Sequence, residues 1–313
     1  MKLYLAPLAG FTDAPFRRFC TEGGADMTYT EMVSAAGLAH GSVPTRRLME
    51  IMPGEGPVAC QIFGANESDV AFAAREVPHH FAELNLNAGC PVTKVTREGA
   101  GAKLVGDPEK VYRLLKAMVE NTPLPVTLKT RLGPHPGRTN AFELLDAAEK
   151  AGAKGIIFHA RYTSQMHGGE VYLELLSEIV SRASISVTGN GSVVDAKCAA
   201  EMEKTGVKSL MIGRAALANP YIFSAIKSGG EVFKPSGPSL CSKHLSYLVQ
   251  YRELMASRFP EERILSLDAY TSVKMHTHLF RYFSGLPGAA KIRARLTQVR
   301  SYDEINDIIQ MYV

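Results

Sequence analysis

The stretch NLNAGCPVTK occupies residues 85–94 and follows a run of alternating apolar and polar residues that begins at Phe81. Asn85 and Asn87 stand two positions apart, so in a β-strand their side chains point to the same face. A glycine, Cys90 and Pro91 follow shortly after them. Amide groups buried without hydrogen-bond partners cost several kcal/mol, so a buried strand that ends in paired asparagines predicts a functional site.

Similar short runs, rich in apolar and β-branched residues, recur along the first two-thirds of the chain. They predict eight strands, at residues 3–8, 27–32, 58–63, 83–87, 126–130, 155–159, 185–188 and 209–212. Helical spacing predicts helices between them, at residues 14–21, 67–77, 108–121, 139–151, 172–182 and 194–205. Alternating strands and helices favour parallel pairing, and eight such strands predict an α/β fold of the (β/α)8 TIM-barrel type. No G-x-G-x-x-G follows a strand, which weakens the alternative of a doubly wound dinucleotide-binding sheet.

Glycine, serine and proline are frequent at residues 224–240, in the segment SAIKSGGEVFKPSGPSL. Such a composition is typical of a linker. The residues after it show helical periodicity and no strand pattern. We therefore predict two domains, a barrel at residues 1–235 and a small all-helical domain at residues 236–313.

Composition indicates a water-soluble enzyme or binding protein rather than a membrane or disulfide-rich one. The 313 residues carry a net charge of only +4, and no apolar run is long enough for a membrane helix. The first predicted strand begins next to Met1, which leaves no room for a signal peptide. Five widely spaced cysteines without a C-x-x-C pair disfavour disulfides and a metal centre. We expect a cytoplasmic monomer without a metal ion.

Polar side chains gather at the predicted carboxyl ends of the strands, where barrels of this type carry their chemistry. Any single polar residue at a strand end is more often structural than functional. The hypothesis of a functional site therefore depends on the presence of such residues at nearly every strand end. The strand ends supply Pro7, Leu8, Ala9, Glu31, Gln61, Asn85, Asn87, Lys129, Arg131, His159, Arg161, Asn190, Gly213 and Arg214.

Two glycine-containing segments, TGNGS at residues 188–192 and IGRAAL at residues 212–217, follow the seventh and eighth strands. Loops at these positions commonly bind phosphate in such barrels, although they could also merely close the barrel. Lys129 and Gln61 could bind the polar edge of a ring system. FMN, a planar cofactor with a phosphate, fits this combination.

Nine motifs of the chain resemble, in the same order, those of the tRNA-dihydrouridine synthase family. The most specific is NLNAGCPVTKV at residues 85–95. Residues 274–296 resemble the helical domain of the bacterial B-type branch. The other motifs are APLAGFTDAPFR (6–17), EMVSAAG (31–37), QIFG (61–64), GAGAKLVGDP (99–108), LKTRLG (128–133), HAR (159–161), GNGSV (189–193) and MIGRAALANPYIF (211–223).

The resemblance implies an FMN-dependent enzyme that reduces the C5=C6 bond of uridines in tRNA, with NADPH or NADH as the electron source. Cys90 would donate the proton at C5, and Asn87, Arg131 and Arg161 would bind the substrate. The residues implied for FMN are Pro7, Leu8 and Ala9 against the flavin, Gln61, Lys129 and His159 at the isoalloxazine, and Asn190, Gly191, Ser192, Gly213 and Arg214 at the ribityl phosphate.

Three segments depart from the usual motifs of that family. Pro134 stands where a Trp often follows TRLG, the loop after His159 reads ARYTSQMHGG, and Ser192 replaces an Asp. These departures concern the position of the substrate more than the flavin site.

Residues 269–302 contain no Asp or Glu. A stretch with one sign of charge suggests contacts with RNA phosphates, whereas an ordinary solvated helix face usually mixes signs. We predict that Lys291, Arg293 and Arg295 contact tRNA.

Two other functions remain open at this point. A second FMN-dependent barrel oxidoreductase, similar to dihydroorotate dehydrogenase and acting on a free pyrimidine, would share the flavin site and a catalytic cysteine. It would not need the basic helical region. A non-catalytic RNA-binding barrel would need neither flavin nor cysteine.

Overall fold

The computed structural model describes residues 1–229, 235–284 and 289–311, except for the side chains of Ala290 and Arg293. Within these residues, the strands form one sheet in which every pair is parallel. They are β1 Lys2–Leu5, β2 Met27–Tyr29, β3 Val33–Ser34, β4 Val58–Phe63, β5 Glu83–Ala88, β6 Val126–Arg131, β7 Gly155–His159, β8 Ser186–Asn190 and β9 Ser209–Ile212.

The sheet closes on itself, because β1 pairs with β9 on one side and with β2 on the other, and β2 pairs with β4. β3 is a two-residue addition at the end of β4. The remaining strands are the eight predicted ones, and the predicted TIM barrel is confirmed.

Two predicted strands, at residues 3–8 and 27–32, are longer than the observed ones. β1 ends before Pro7, which has no N–H to donate to a neighbouring strand. The chain then turns, with the N–H groups of Phe11 and Thr12 both donating to the carbonyl of Leu8 at 3.0 Å. β2 ends at Tyr29, and the chain pairs with β4 again at Val33–Ser34, as β3.

Eleven α-helices accompany the strands over residues 1–229, and all six predicted ones are among them. The additional helices have only five to seven residues, too few for an apolar period to show in the sequence. The helices are α1 Ala14–Glu22, α2 Ala35–Ala39, α3 Val43–Arg47, α4 Glu67–Glu76, α5 Thr93–Arg97, α6 Pro108–Val119, α7 Ala141–Ala151, α8 Leu173–Arg182, α9 Ala196–Glu203, α10 Arg214–Ala218 and α11 Ile222–Ser228, with 3-10 helices at Gly101–Gly106 and Thr163–Gln165.

The last part of the chain is helical where it is described, as α12 Gly237–Arg258, α13 Leu267–Tyr282, α14 Ala289–Leu296 and α15 Tyr302–Gln310. These helices share one apolar cluster with Phe19 of α1. Glu22 of α1 adds polar contacts with α12, accepting from Lys243 Nζ at 2.7 Å and from the hydroxyl of Tyr247 at 2.6 Å. The helical region therefore packs directly on the barrel.

The predicted linker at residues 224–240 is shorter than expected, because α11 and α12 extend into both of its ends. Ser236 caps α12 by accepting from the N–H of Ser239, and Pro238 lies in the first turn. Serine and proline thus act here as helix-start residues. Residues 230–234 lie outside the described part, and the domain boundary after residue 235 stays a prediction. None of the described helices has the length and apolar character needed to cross a membrane.

A buried ion pair fixes α1 to the loop before β4. Arg17 Nε donates to Glu55 Oε2 at 2.7 Å, and both side chains are almost fully enclosed. Arg17 also donates to the carbonyls of Thr12 at 3.0 Å and Glu50 at 2.7 Å. Glu55 in turn accepts from the N–H of Met52 at 2.8 Å. Both charges have several partners, and the loss of either would leave the other buried without a counter-charge.

We expect Arg17→Ala to lower the free energy of unfolding by about 3–5 kcal/mol, because the Glu55 carboxylate would remain buried and unpaired. Urea denaturation followed by circular dichroism measures this loss. Arg113→Ala is the matched control, since Arg113 pairs with Glu67 at 2.8 Å on the exposed surface. That variant should lose far less stability, because an exposed ion pair contributes little, and equal losses in the two variants would contradict the interpretation.

Candidate active site

The carboxyl ends of the strands surround a cavity of about 390 Å³. Its size lies within the range of small-molecule sites. Fifteen of the residues predicted at the strand ends and their loops line this cavity, whereas Glu31 and Asn85 do not. The fifteen are Pro7, Leu8, Ala9, Gln61, Asn87, Cys90, Lys129, Arg131, His159, Arg161, Asn190, Gly191, Ser192, Gly213 and Arg214.

The parallel register explains why these side chains meet. Asn87 lies opposite Lys129, and Arg131 lies opposite His159, which in turn pairs with Asn190 on the next strand. Residues at equal heights on neighbouring strands therefore carry the polar groups, and closure of the barrel turns them into a ring.

A chain of amide hydrogen bonds crosses three neighbouring strands. Gln61 Nε2 donates to Asn85 Oδ1 at 2.7 Å, and Asn85 Nδ2 donates to the Thr127 hydroxyl at 2.7 Å. Asn87 Nδ2 donates to Gln61 Oε1 at 2.8 Å. The expectation that both asparagines face the site is wrong for Asn85, which is fully buried beneath the cavity and orients Gln61.

Asn87 also fixes the loop that carries the cysteine. Its Oδ1 accepts from the N–H groups of Gly89 at 3.1 Å and Cys90 at 3.0 Å. The carbonyl of Cys90 accepts from the N–H of Ala102 at 2.8 Å. Gly101, at φ +59°, passes so close that a Cβ would lie 2.6 Å from that carbonyl. Cys90 is therefore held on both sides by the backbone, while its residue lines the cavity.

Lys129 and His159 are basic residues in an environment that disfavours charge. Burial, and next the charge of Arg131, lower the pKa of Lys129 to about 7, although Nζ donates to Asn190 Oδ1 at 3.1 Å. Burial also lowers the pKa of His159 far below its usual value, and the nearby cations add to this effect. The His159 ring is therefore neutral, and its Nε2 accepts from Arg161 Nη1 at 3.3 Å.

Two of the arginines are tied to loop carbonyls. Arg131 donates from Nε to Gly89 at 2.9 Å and from Nη1 to Met166 at 2.7 Å, and burial lowers its pKa to about 10. Arg161 Nη2 donates to the carbonyl of Gly169 at 2.8 Å and to the Ser192 hydroxyl at 2.6 Å. These side chains shape the loops around the cavity as well as supplying positive charge.

The loop after β8 approaches the other side of the cavity closely. Gly191 has a φ of +128°, and a Cβ at this position would lie 3.1 Å from both His159 Cδ2 and Val171 Cγ1. Ser192 has a φ of +54°, an uncommon conformation for a residue other than glycine. This backbone brings the Ser192 hydroxyl to Arg161, next to the cavity.

The cavity lining contains five Lys or Arg side chains and no Asp or Glu among the described residues. Glu31, expected among the strand ends, lies outside this lining and accepts from the N–H of Gly10 at 2.6 Å. Uncompensated cations around a partly apolar cavity favour a ligand that carries negative charge. The five basic residues are Lys129, Arg131, Arg161, Arg214 and Arg281.

Several lining residues were missed in the sequence. Met32 and Met211 are apolar and looked like strand packing, and Phe11 stood in a turn after β1. His167 comes from the irregular loop after β7, where Arg214 Nη2 donates to its carbonyl at 2.9 Å. Arg281 comes from α13, and no local pattern could have placed that helix over the barrel.

The predicted RNA contacts on α14 lie outside this cavity. Lys291 and Arg295 do not line it, and both are exposed. Arg295 Nη1 contacts Met311 Sδ at 2.8 Å. The side chain of Arg293 lies outside the described part of the chain. Their predicted role thus concerns a surface away from the reacting groups.

The sequence model of one protein family, described as Dihydrouridine synthase (Dus), matches residues 4–311. The chain belongs to the dihydrouridine synthase family. Among its relatives, "Probable tRNA-dihydrouridine synthase 1" of Synechocystis sp. is 31% identical over 324 residues, which covers 98% of this chain and 85% of the relative. "tRNA-dihydrouridine synthase B" of Escherichia coli strain K12 is 36% identical over 239 residues, covering 75% of this chain and 74% of the relative.

The fold is also similar to that of morphinone reductase, with a TM-score of 0.52 and 14% sequence identity over 75% of this chain and 87% of that one. This similarity shows a shared fold and nothing further. The family membership places the chain among the flavin-dependent oxidoreductases that act on a carbon–carbon bond, with a nicotinamide as electron source. The predicted family, fold and enzyme class are confirmed.

The pKa of Lys129 generates a prediction for the protein without bound cofactor. An unfolded lysine keeps its proton up to about pH 10.4, whereas the folded one releases it near pH 7. The unfolded chain therefore binds more protons between these values, and the folded state gains stability as pH rises through the window. Lys129→Met should therefore raise the free energy of unfolding by roughly 1–3 kcal/mol at pH 7. This range is smaller than the full pKa shift corresponds to, because Lys129 is only partly buried and solvent screens its charge.

This gain should shrink towards zero as the pH approaches 10.5, because the unfolded lysine then loses its proton as well. Urea denaturation of the parent and variant at several pH values measures it. Lys103→Met, at an exposed position, is the control and should show a difference that does not change with pH. A pH-independent gain for Lys129→Met would show that its charge is not what the folded state disfavours.

Proposed function

We propose that the protein reduces the C5=C6 bond of uridine in tRNA, with FMN as its flavin and NADPH or NADH as the source of electrons. The observation that carries the proposal is one cavity whose lining includes Cys90 and the residues implied for flavin, and whose described residues include basic groups but no carboxylate. The names of the relatives, which are tRNA-dihydrouridine synthases, support tRNA as the substrate.

The donor groups of the cavity suit a flavin that carries a phosphate. Lys129, Gln61 and neutral His159 offer hydrogen bonds for the polar edge of a ring, and Ala6 and Met211 offer apolar surface. Ser192 and Arg214 lie at the ends of β8 and β9, where we place the phosphate. Arg161, expected from the resemblance to bind the substrate, donates to the Ser192 hydroxyl beside them. A negative charge on the ring would raise the pKa of Lys129 again and keep its proton in place. Bound flavin supplies the hydride that uracil receives at C6.

Cys90 supplies the proton that uracil needs at C5. A thiol that still carries its proton can act as a general acid when it lies within reach of the reacting carbon. The thiolate left behind lies near Lys129 and Arg131, whose pKa values its charge raises. These two cations therefore stabilise the thiolate after transfer. Asn87 holds the Cys90 backbone, and its direct contact with uracil remains part of this proposal.

We expect Cys90→Ala to slow the formation of dihydrouridine by at least about 100-fold, the usual effect of removing a positioned acid. Flavin content and flavin reduction by NADPH should stay at the parent's level, because the thiol is assigned to proton transfer alone. Single-turnover measurements with reduced enzyme and tRNA separate these steps. Cys198→Ala is the control, since Cys198 is a free cysteine on α9 outside the cavity. A normal single-turnover yield from Cys90→Ala would remove the residue from the mechanism.

The basic residues of α14 distinguish this proposal from an oxidoreductase of free pyrimidines. Replacing Lys291, Arg293 and Arg295 with Gln should weaken binding to tRNAs of different sequence. The slope of log affinity against log salt concentration should fall by about 0.7–0.9 for each phosphate that the variant no longer neutralises. Titrations at several salt concentrations measure both effects.

The control replaces Lys110, Arg113 and Lys116 of α6, which lie along one helix away from the C-terminal region. That variant should bind tRNA like the parent. Unchanged affinity and salt slope in the α14 variant would contradict the proposed tRNA contact and favour the free-pyrimidine alternative.

A further inference from the structure

Arg281 of α13 is the residue that brings the C-terminal helical region into the cavity. Every other described residue of the lining belongs to the barrel or its loops, from Ala6 to Leu217. The guanidinium carbon of Arg281 lies 4.6 Å from the centroid of the Phe11 ring. Because α13 lies across the loop after β1, Arg281 is at the outer rim of the cavity.

Three side chains on one face of α13 fix this position, since residues 274, 278 and 281 follow helical spacing. Lys274 Nζ pairs with Asp13 Oδ2 at 3.3 Å, and the His278 ring meets the Phe11 ring edge-on, with 5.5 Å between their centroids. Arg281 then stacks on the same Phe11 ring. The loop that follows Pro7, Leu8 and Ala9 is thus clamped against α13.

Arg281 differs from Arg131 and Arg161 in the groups to which it donates. Arg131 and Arg161 each make several hydrogen bonds to loop carbonyls. Arg281 donates from Nη1 to the carbonyl of Thr277 in its own helix at 2.9 Å. In the described part of the chain its Nε and Nη2 have no hydrogen-bond acceptor, so they are available for a ligand. A guanidinium stacked on an aromatic ring with free donors is well suited to a phosphate.

We infer that Arg281 binds a backbone phosphodiester next to the uridine that enters the cavity, an inference that rests on the proposed tRNA substrate. A base that leaves its stack and enters an enclosed site keeps its sugar and phosphates at the entrance. Arg281 lies at that entrance and within the stretch without acidic residues, residues 269–302. Ser192 and Arg214 already serve the proposed flavin phosphate, whereas Arg281 comes from the helical region and is left to the RNA.

With a phosphate contact at Arg281, α13 would both position the loop after β1 and bind the substrate. Its position holds the loop beside the flavin, and its guanidinium holds the nucleotide that reacts. Arg281 is therefore a substrate-binding residue, and its loss should reduce the productive placement of uridine as well as the affinity for tRNA.

The test compares Arg281→Gln and Arg281→Lys with the parent in single-turnover reactions on tRNA, with binding measured at several salt concentrations. Arg281→Gln should reduce the apparent affinity for tRNA about tenfold, the value of one charge-assisted hydrogen bond. Its salt slope should fall by about 0.7–0.9, as for one phosphate contact. Arg281→Lys keeps the charge and should retain the slope. FMN retention and the KM for NADPH should not change in either variant.

Arg75→Gln, at an exposed position on α4, is the control for general loss of surface charge and should match the parent. Thermal unfolding of each variant separates an effect on Phe11 packing from an effect on phosphate binding. If Arg281→Lys loses affinity and salt slope as fully as Arg281→Gln, the stacked guanidinium serves the structure and the inference fails.

An effect confined to FMN retention or to the KM for NADPH would assign Arg281 to a cofactor phosphate and overturn the inference. Unchanged tRNA parameters in Arg281→Gln would overturn it as well. The proposed function fails separately, and before any variant is compared, if the parent enzyme neither binds tRNA nor forms dihydrouridine in it.

Discussion

The constraint on which this structure depends is the closure of a parallel sheet. When β2 pairs with β4 and β1 with β9, every strand ends at the same rim, and the register decides which side chains face each other there. Gln61, Asn87, Lys129, His159 and Asn190 come from five strands that are distant in sequence. Each forms a hydrogen bond to a residue of another strand of the barrel or, for His159, to Arg161 just after its own strand. The site is therefore as rigid as the barrel itself, and its geometry does not depend on loop conformation alone.

The charge of the cavity is a second constraint on what it can bind. Among the described residues that line the cavity, no carboxylate neutralises the basic groups. Burial, and next the repulsion from neighbouring cations, lowers the pKa values of Lys129 and His159, and burial lowers that of Arg131. A site of this kind favours an anionic ligand, because the charge of the ligand compensates buried cations that lack a counter-charge. A phosphate, a charged ring and an RNA backbone would each contribute to that compensation at a different place.

The barrel could be predicted from the sequence because short runs rich in apolar and β-branched residues indicate strands directly. The site could be predicted because residues such as Lys129 and His159 are unusual at the ends of buried strands. The sequence could not show that Asn85 lies below the cavity and Asn87 at its floor, because both point inwards and only depth separates them. It placed Glu31 with the site, although the early end of β2 moves that carboxylate to the loop at Gly10. Arg281 lies in the stretch without acidic residues, but its place in the cavity lining depends on how α13 packs, which no local pattern shows.

The apolar cluster between α1 and the last helices makes the stability of the barrel and that of the helical region depend on each other. Phe19 and Met52 belong to the barrel, yet they lie in the same core as Leu248 and Leu279 of α12 and α13. A barrel without these helices would present that core to water, so each part protects the other from aggregation and proteolysis. Substitutions in contact across this core are expected to be coupled in their effect on stability, even where neither residue touches a ligand.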